Sequence, residues 1–292
     1  MKAAIYSRIF DTEHKEEVQL FFDELELQKI EPVIFHHFYE QIRSEIRIPE
    51  GTRTFTLSED LTEEIEFIIS LGGDGTLLDT ITLVRDKKIS IMGINFGRLG
   101  FLASIGRNEV KTAVKAIARR TYVNDTRTLI HVDADMPLFG SIPYALNEFS
   151  IHKQDVASMI KIHTYLNGEF LNSYWADGLI VATPTGSTGY SLSCGGPVVF
   201  PDAGSFVITP VAPHNLNVRP IIVPDSNIIS FEVESRTDKI ICALDSRREI
   251  VNKNVTLAVK KEDFGINLVR LSENNFLQTL RNKLTWGLDK RN

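Results

Sequence analysis

The sequence predicts an N-terminal α/β domain with a parallel sheet over residues 1–122, an all-β domain over 123–271, and a helical tail over 272–292 that packs back on one of them. Three observations carry this. Up to about Tyr122, short β-branched apolar segments alternate with amphipathic helical ones, the pattern of a parallel sheet covered on both faces. Beyond Tyr122, short strand-like segments follow one another with no long helical pattern between them. Between two of these stands Asn167-Gly168, the strongest short hairpin signal.

The elements follow in order. Residues 3–9 read as a strand, and 14–28 as a helix burying Val18, Phe21, Phe22 and Leu25. A strand at 32–35 and a short helix at 38–46 come next. The run 65–71 is a buried strand, and 76–84 a helix with Leu77, Leu78, Ile81 and Val84 on one face. A strand at 89–95 and a helix at 109–119, apolar at Val110, Ala113, Val114 and Ile117, close the first domain. The second holds expected strands at 128–134, 144–152, 159–166, 169–175, 179–183, 205–211, 228–234, 239–244, 255–259 and 266–271. A helical pattern returns only at 274–284.

Bulk properties narrow the function classes. At 292 residues, with 43% hydrophobic and 24% charged residues, the chain has ample core for one large or two ordinary domains. A net charge of −6 argues against general attraction to nucleic acid or an anionic membrane. The opening Met1-Lys2-Ala3-Ala4-Ile5-Tyr6-Ser7-Arg8 is charged too early for a secretory leader, and no apolar run approaches spanning length. Cys194 and Cys242 are far apart and read as free thiols, and the seven histidines offer no zinc spacing. A cytoplasmic protein is expected.

Chemistry concentrates in four places. Gly72-Gly73-Asp74-Gly75-Thr76 joins the 65–71 strand to the 76–84 helix. Its glycines let a ligand approach bare backbone, and the helix start turns free N–H groups toward an anion. A carboxylate there would repel phosphate alone, so Asp74 reads as a hydroxyl binder, a metal ligand or a general base; the plain alternative is a helix N-cap. Asn95-Phe96-Gly97-Arg98-Leu99-Gly100-Phe101-Leu102 follows the next parallel strand and belongs on the same carboxyl edge, where open α/β sheets bind ligands. Asn147-Glu148 interrupts an apolar strand, either reaching a bound polar group or marking an exposed edge. The run from Asp177 to Ser191, closing on Gly195-Gly196-Pro197, is dense in hydroxyls and glycine, suited to phosphate oxygens, with Tyr190 as a stacking face. Arg247 and Arg248, at a strand end, could meet phosphate or carboxylate.

With these four segments in this order, the chain resembles the NAD kinase family over nearly its whole length. The glycine corner matches the family's first signature, Asn95 to Leu102 the second, Asn147-Glu148 the third and Asp177 to Tyr190 the fourth. The corner alone also occurs in diacylglycerol and sphingosine kinases and, with a small change, in phosphofructokinases; the set is far more specific. The resemblance implies transfer of the ATP γ-phosphate to the 2′-hydroxyl of the adenosine ribose of NAD, at a site between the domains of a homodimer or homotetramer. It implies Asp74 at the ribose as general base, and Asn147 and Glu148 on the ribose hydroxyls. Asp177, Thr188, Tyr190 and Ser193 would line the adenine and nicotinamide subsites. Further contacts are implied at Gly73, Gly75, Asn95, Phe96, Thr185, Gly189, Ser191, Leu192 and Ala212. A divalent cation, Mg2+, would enter with ATP, and no protein metal ligand is assigned. Two positions depart from many bacterial members: Trp175 stands where they carry Arg, and Arg247 where they carry Gln. A lipid kinase would keep Asp74 but need an apolar or basic membrane face. A non-catalytic dinucleotide-binding regulator would share the loops without turnover.

Overall fold

A computed structural model describes residues 1–97, 100–155, 158–271 and 276–286. The chain divides into two units, one of residues 1–126 with 266–292, the other of residues 127–265. The expected divisions were 122/123 and 271/272, so the end of the chain returns to the first unit.

In chain order the first unit holds β1 (Lys2–Tyr6), α1 (Lys15–Leu27), β2 (Glu31–Phe35), α2 (His36–Ile42), β3 (Arg53–Phe55), β4 (Ile65–Leu71), α3 (Asp74–Val84), β5 (Ser90–Asn95), β6 (Ile105–Gly106) and α4 (Val110–Arg119). β3, β2, β1, β4 and β5 lie side by side, all parallel, with β6 continuing beyond β5. β1 and β4 are almost wholly buried, as their largely apolar runs require. Phe21, Leu25, Phe38, Ile69, Ile94, Val114 and Ile117 form one core with Val269 and Leu271.

The second unit is antiparallel. β7 (Val123–Ala134) leads into β8 (Tyr144–Ala145), β9 (Glu148–Lys153), β10 (Ile160–Leu166), β11 (Glu169–Ala176) and β12 (Gly178–Ala182). After a single-turn helix α5 (Tyr190–Ser193) come β13 (Ser205–Val211), β14 (Ile221–Pro224), β15 (Ile229–Glu234), β16 (Lys239–Leu244), β17 (Arg247–Asn252) and the long β18 (Leu257–Arg270). One sheet runs β14-β13-β12-β9-β16-β17. The other orders β11-β10-β15 against the first half of β18, with β7 on its far side. Phe149, Ile151, Leu179, Val181 and Phe206 meet Ile130, Ile160, Ile162, Phe231 and Leu257 in the layer between them. β10 and β11 form the expected hairpin, with Asn167 and Gly168 both at positive φ (50° and 84°). The last turns of β18 pair with β5 in the first unit, Leu268 opposite Ile91. A final helix α6 (Phe276–Leu284) buries Leu280.

Several expectations are corrected. The 144–152 strand is two strands, broken at Leu146-Asn147. β14 and β17 were missed, and the expected strands at 255–259 and 266–271 are one. β1 stops at Tyr6 rather than residue 9, and α2 at Ile42 rather than 46. The expected start of the tail helix at Asn274 lies outside the described residues.

Candidate functional site

In the first unit, β4 delivers the glycine corner. Gly72 has φ +149°, and a Cβ there would stand 2.5 Å from Thr76 Oγ1; only glycine makes this turn. Gly73 is the residue that caps α3, its carbonyl accepting from the N–H groups of Thr76 (3.0 Å) and Leu77 (3.2 Å). Asp74 is therefore not the N-cap that the plain reading made it. It lies in the first helical turn, and its carboxylate turns to the loop after β5. There Oδ2 accepts from Phe101 N–H (2.8 Å), and Oδ1 from Leu102 (3.1 Å) and Ala103 (2.9 Å). A carboxylate offers about four acceptor positions, so roughly one stays open. Gly100 makes the approach possible, since a Cβ on it would collide with Asp74 Oδ1. The first two signatures thus meet at one carboxylate. Arg98 and Leu99, inside the second signature, lie outside the described residues.

Around this corner Asn95 is buried and takes the Gly97 N–H on Oδ1 (2.9 Å). Phe96 is buried beside the His14 ring, centroids 5.8 Å apart. A cavity of about 210 Å3 opens here, lined by Ser7, Phe10, His14, Gly72, Gly73, Asn95 and Phe96 among others. Sequence reasoning missed Arg8, whose Nη1 lies 3.4 Å from where a Gly75 Cβ would stand. Its guanidinium is held by Asp79, which also accepts from Tyr6 Oη (2.9 Å). A basic residue just past a parallel strand, on the edge that carries the glycine corner, was the available signal.

In the second unit the hydroxyl-rich loop leaves β12 and folds back over the outer face of its sheet, covering Ile180, Ala182 and Val207. Many of its hydroxyls hold the loop itself. Ser187 Oγ donates to Pro184 O (2.7 Å) and accepts from Val199 N–H (3.0 Å). Ser191 and Thr209 share a hydrogen bond of 2.8 Å, and Thr185 Oγ1 accepts from Arg127 (3.1 Å). Thr185, Ser187 and Ser191 are buried, whereas Gly189, Tyr190 and Ser193 are exposed and Thr188 and Leu192 half-buried. The hydroxyl density thus has a scaffold reason that the sequence reading had assigned to phosphate.

The loop brings predicted residues together. Gly189 lies beside Glu148, 3.4 Å from its would-be Cβ to Oε2, and the Tyr190 ring stands 5.8 Å from that of His152. Glu148 Oε2 is shut off from solvent without a hydrogen-bond partner, and burial, aided by Asp245, pushes its carboxyl up to about 8. Burial pushes His152 down, while Asp177 pulls it back. Asp177 pairs with Lys153 (2.6 Å), and its N–H donates to Val211 O (2.9 Å). Next to this end lie Trp175, half exposed with its ring 5.2 Å from His214, and exposed Ala212 at φ 45°.

Two further findings concern the β16–β17 turn. Arg247 does not stand free for a phosphate: its guanidinium donates to Ile142 O and Tyr144 O and lies 5.7 Å from the Phe139 ring centre. Asp245, which sequence reasoning did not single out, accepts the N–H groups of Leu146 (3.0 Å), Asn147 (2.9 Å) and Glu148 (3.1 Å). Among the described residues no three His, Cys, Asp or Glu side chains converge as a metal cluster, and no helix is long and apolar enough to cross a membrane.

Comparison with known proteins adds a family. The pattern of the ATP-NAD kinase N-terminal domain matches residues 21–122, and that of the ATP-NAD kinase C-terminal domain residues 146–271. A NAD kinase of Cytophaga hutchinsonii is 50% identical over 290 residues, covering 99% of each chain. One of Flavobacterium psychrophilum is 43% identical over 294 residues, covering all of both. Among solved structures, an Archaeoglobus fulgidus NAD kinase in complex with ATP is similar at TM-score 0.75 and 26% identity, over 98% of this chain and 99% of that one. A yeast NADH kinase complexed with NADH matches at TM-score 0.88, over 99% of this chain and 89% of that one; at 22% identity this likeness bears on the fold alone.

Proposed function

Because the chain belongs to the NAD kinase family, whose reaction is the ATP-dependent phosphorylation of NAD to NADP, we propose that Asp74 is the group that holds and deprotonates the accepting ribose hydroxyl. The observation that carries this reading is the anchoring of Asp74 by three backbone N–H groups, which leaves about one acceptor position open. Phosphoryl transfer asks mainly for alignment and charge neutralisation. Asp74 would accept the 2′-hydroxyl hydrogen and aim the oxygen at the γ-phosphorus. As the new O–P bond forms, the bond from that phosphorus to the β-γ bridging oxygen breaks and ADP departs with the electron pair. An ionised carboxylate is a weak base for an alcohol, so the proton reaches Asp74 late, once the oxygen has lost its negative character to phosphorus. Such assistance is worth ~10²–10⁴-fold.

The remaining roles are assigned to residues within each unit. Gly73, Gly75, Asn95 and Phe96 border Asp74 and would meet the nucleotides there. Asn147 and Glu148 would hold the ribose hydroxyls; near neutrality Glu148 keeps its proton and can donate. Asp177, Trp175, Thr188, Tyr190, Ser193 and Ala212 would line the base subsites, with Tyr190 as a stacking face. Thr185, Gly189, Ser191 and Leu192 shape the loop that carries them. Mg2+ would arrive as part of the ATP substrate, bound to its phosphates. A cytoplasmic homodimer or homotetramer completes the proposal. The assay is direct: purified protein with NAD, ATP and magnesium should form NADP, read by a coupled dehydrogenase. Tight NADP binding without turnover would make the protein a dinucleotide-binding regulator instead.

A further inference from the structure

The break between β8 and β9 is the local feature that needs a cause. A regular strand sends adjacent side chains to opposite faces, so Asn147 and Glu148 could not serve one ligand from an unbroken strand. Breaking the strand at Leu146-Asn147 lifts that constraint, but it frees backbone N–H groups that must find another acceptor. Asp245 takes three of them in succession, from Leu146, Asn147 and Glu148, and its own N–H returns a bond to Glu148 O (3.0 Å). A positive φ of 53° turns Asp245 back toward this segment. Two residues on, Arg247 holds the approach to the break by the carbonyls of Ile142 and Tyr144. From the other side Thr183 donates Oγ1–H to Leu146 O (2.5 Å) and N–H to Asn147 O (2.8 Å).

We propose that Arg247 and Asp245 are positioning residues that fix the backbone of residues 142–148, and so present Asn147 and Glu148 to the dinucleotide. This inference rests on the reading of Asn147 and Glu148 as ribose-binding. Arg247 then acts through the segment and not through its charge on the substrate. A guanidinium sensing the extra phosphate of NADP would discriminate between NAD and NADP; a clamp on the backbone changes both alike.

The test is steady-state kinetics on the full chain, with KM for NAD and product inhibition by NADP measured for Arg247→Met, Arg247→Lys, Asn147→Ala and the double variant Arg247→Met/Asn147→Ala. Arg247→Met should weaken NAD and NADP by the same factor, about tenfold, with kcat changed less. Arg247→Lys, which keeps the charge but not the fork, should fall between Met and wild type and covers the case in which Arg247→Met fails to fold. In the Asn147→Ala background the Arg247→Met effect should shrink, because both act on one contact. A loss confined to NADP, or full additivity in the double variant, would overturn the positioning role. If Asn147→Ala leaves KM for NAD unchanged, the ribose reading itself falls, and the inference with it.

Discussion

Asp74 and Glu148 are two carboxyl groups that their surroundings treat in opposite ways. Asp74 is surrounded by donors, three N–H groups from the loop after β5. Asp74→Asn keeps the size but turns an amide N–H2 toward N–H donors, so it should melt lower than wild type and lose ~10²–10⁴-fold in kcat. Stability and turnover then change together, and a second variant separates them. Gly100→Ala keeps the carboxylate and pushes a methyl against Oδ1. If Asp74 aligns the hydroxyl, Gly100→Ala should lower kcat with NAD affinity largely kept; a lower melting temperature with unchanged kcat would reduce Asp74 to a loop anchor. Glu148 has the reverse problem, a buried oxygen with no donor and a carboxyl raised to about 8. Its folded form keeps a proton that the unfolded chain has already lost. Stability therefore falls as pH rises from the ordinary carboxylate range to about 8, and levels off above. Glu148→Gln, which cannot ionise, should melt above wild type at pH 9 and close to it at pH 5. Parallel melting curves across that range would show that Glu148 ionises in the fold as readily as in water.

At the scale of elements, the loop from Thr183 to Val199 is held by its own hydroxyls, which makes Ser187 its most sensitive point. Ser187→Ala leaves Val199 N–H without its acceptor and reduces Pro184 O to the longer Ser187 N–H contact (3.3 Å). It should cost about 1–3 kcal/mol and lower the melting temperature by several degrees, with weaker NAD binding as the loop loosens. An unchanged melting temperature would mean that water replaces the hydroxyl and the loop is not scaffolded this way. The same loop marks the border of what local sequence can reveal. β4 and α3 were legible because burial imposes a period on the chain, and Asn167-Gly168 because only certain residues take positive φ. The division of hydroxyls into buried and exposed was not legible, since it depends on Thr209 and Arg127, far away in sequence. β18 reads as two strands because Lys260-Lys261-Glu262-Asp263 breaks its apolar pattern, although half of its side chains face outward there. β17 was missed for a like reason, the charged run Arg247-Arg248-Glu249 opening a strand that lies at the edge of its sheet. Asp245 was invisible as a partner of Asn147, because the contact joins residues about a hundred positions apart.

At the scale of the whole molecule, the two units differ in how the chain builds them. The second is continuous from residue 127 to 265, and among the described residues its core draws on that span alone. The first is assembled from both ends: Val269 and Leu271 lie in its core with Phe67, Ile69 and Ile94, and Leu268 pairs with Ile91 on β5. Thr126 Oγ1 donates to Asn267 Oδ1 (2.8 Å), and Arg270 pairs with Asp125 (2.9 Å), so the two crossing points of this unit are neighbours. Residues 127–265 alone should therefore fold, with a cooperative thermal transition and the circular dichroism of a β protein. Residues 1–126 alone should not, because they lose two core side chains and bare the part of the β5 edge at Ile91 that β6 does not cover, a template for aggregation. Joining residue 126 to residue 266 through a few glycines should restore a cooperative fold, since the linker spans neighbouring points and a short loop costs little entropy. Cooperative unfolding of 1–126 by itself would show that the returning segment only decorates a domain complete without it. Failure of the linked form, with 127–265 folding, would show that the first unit needs the second to fold.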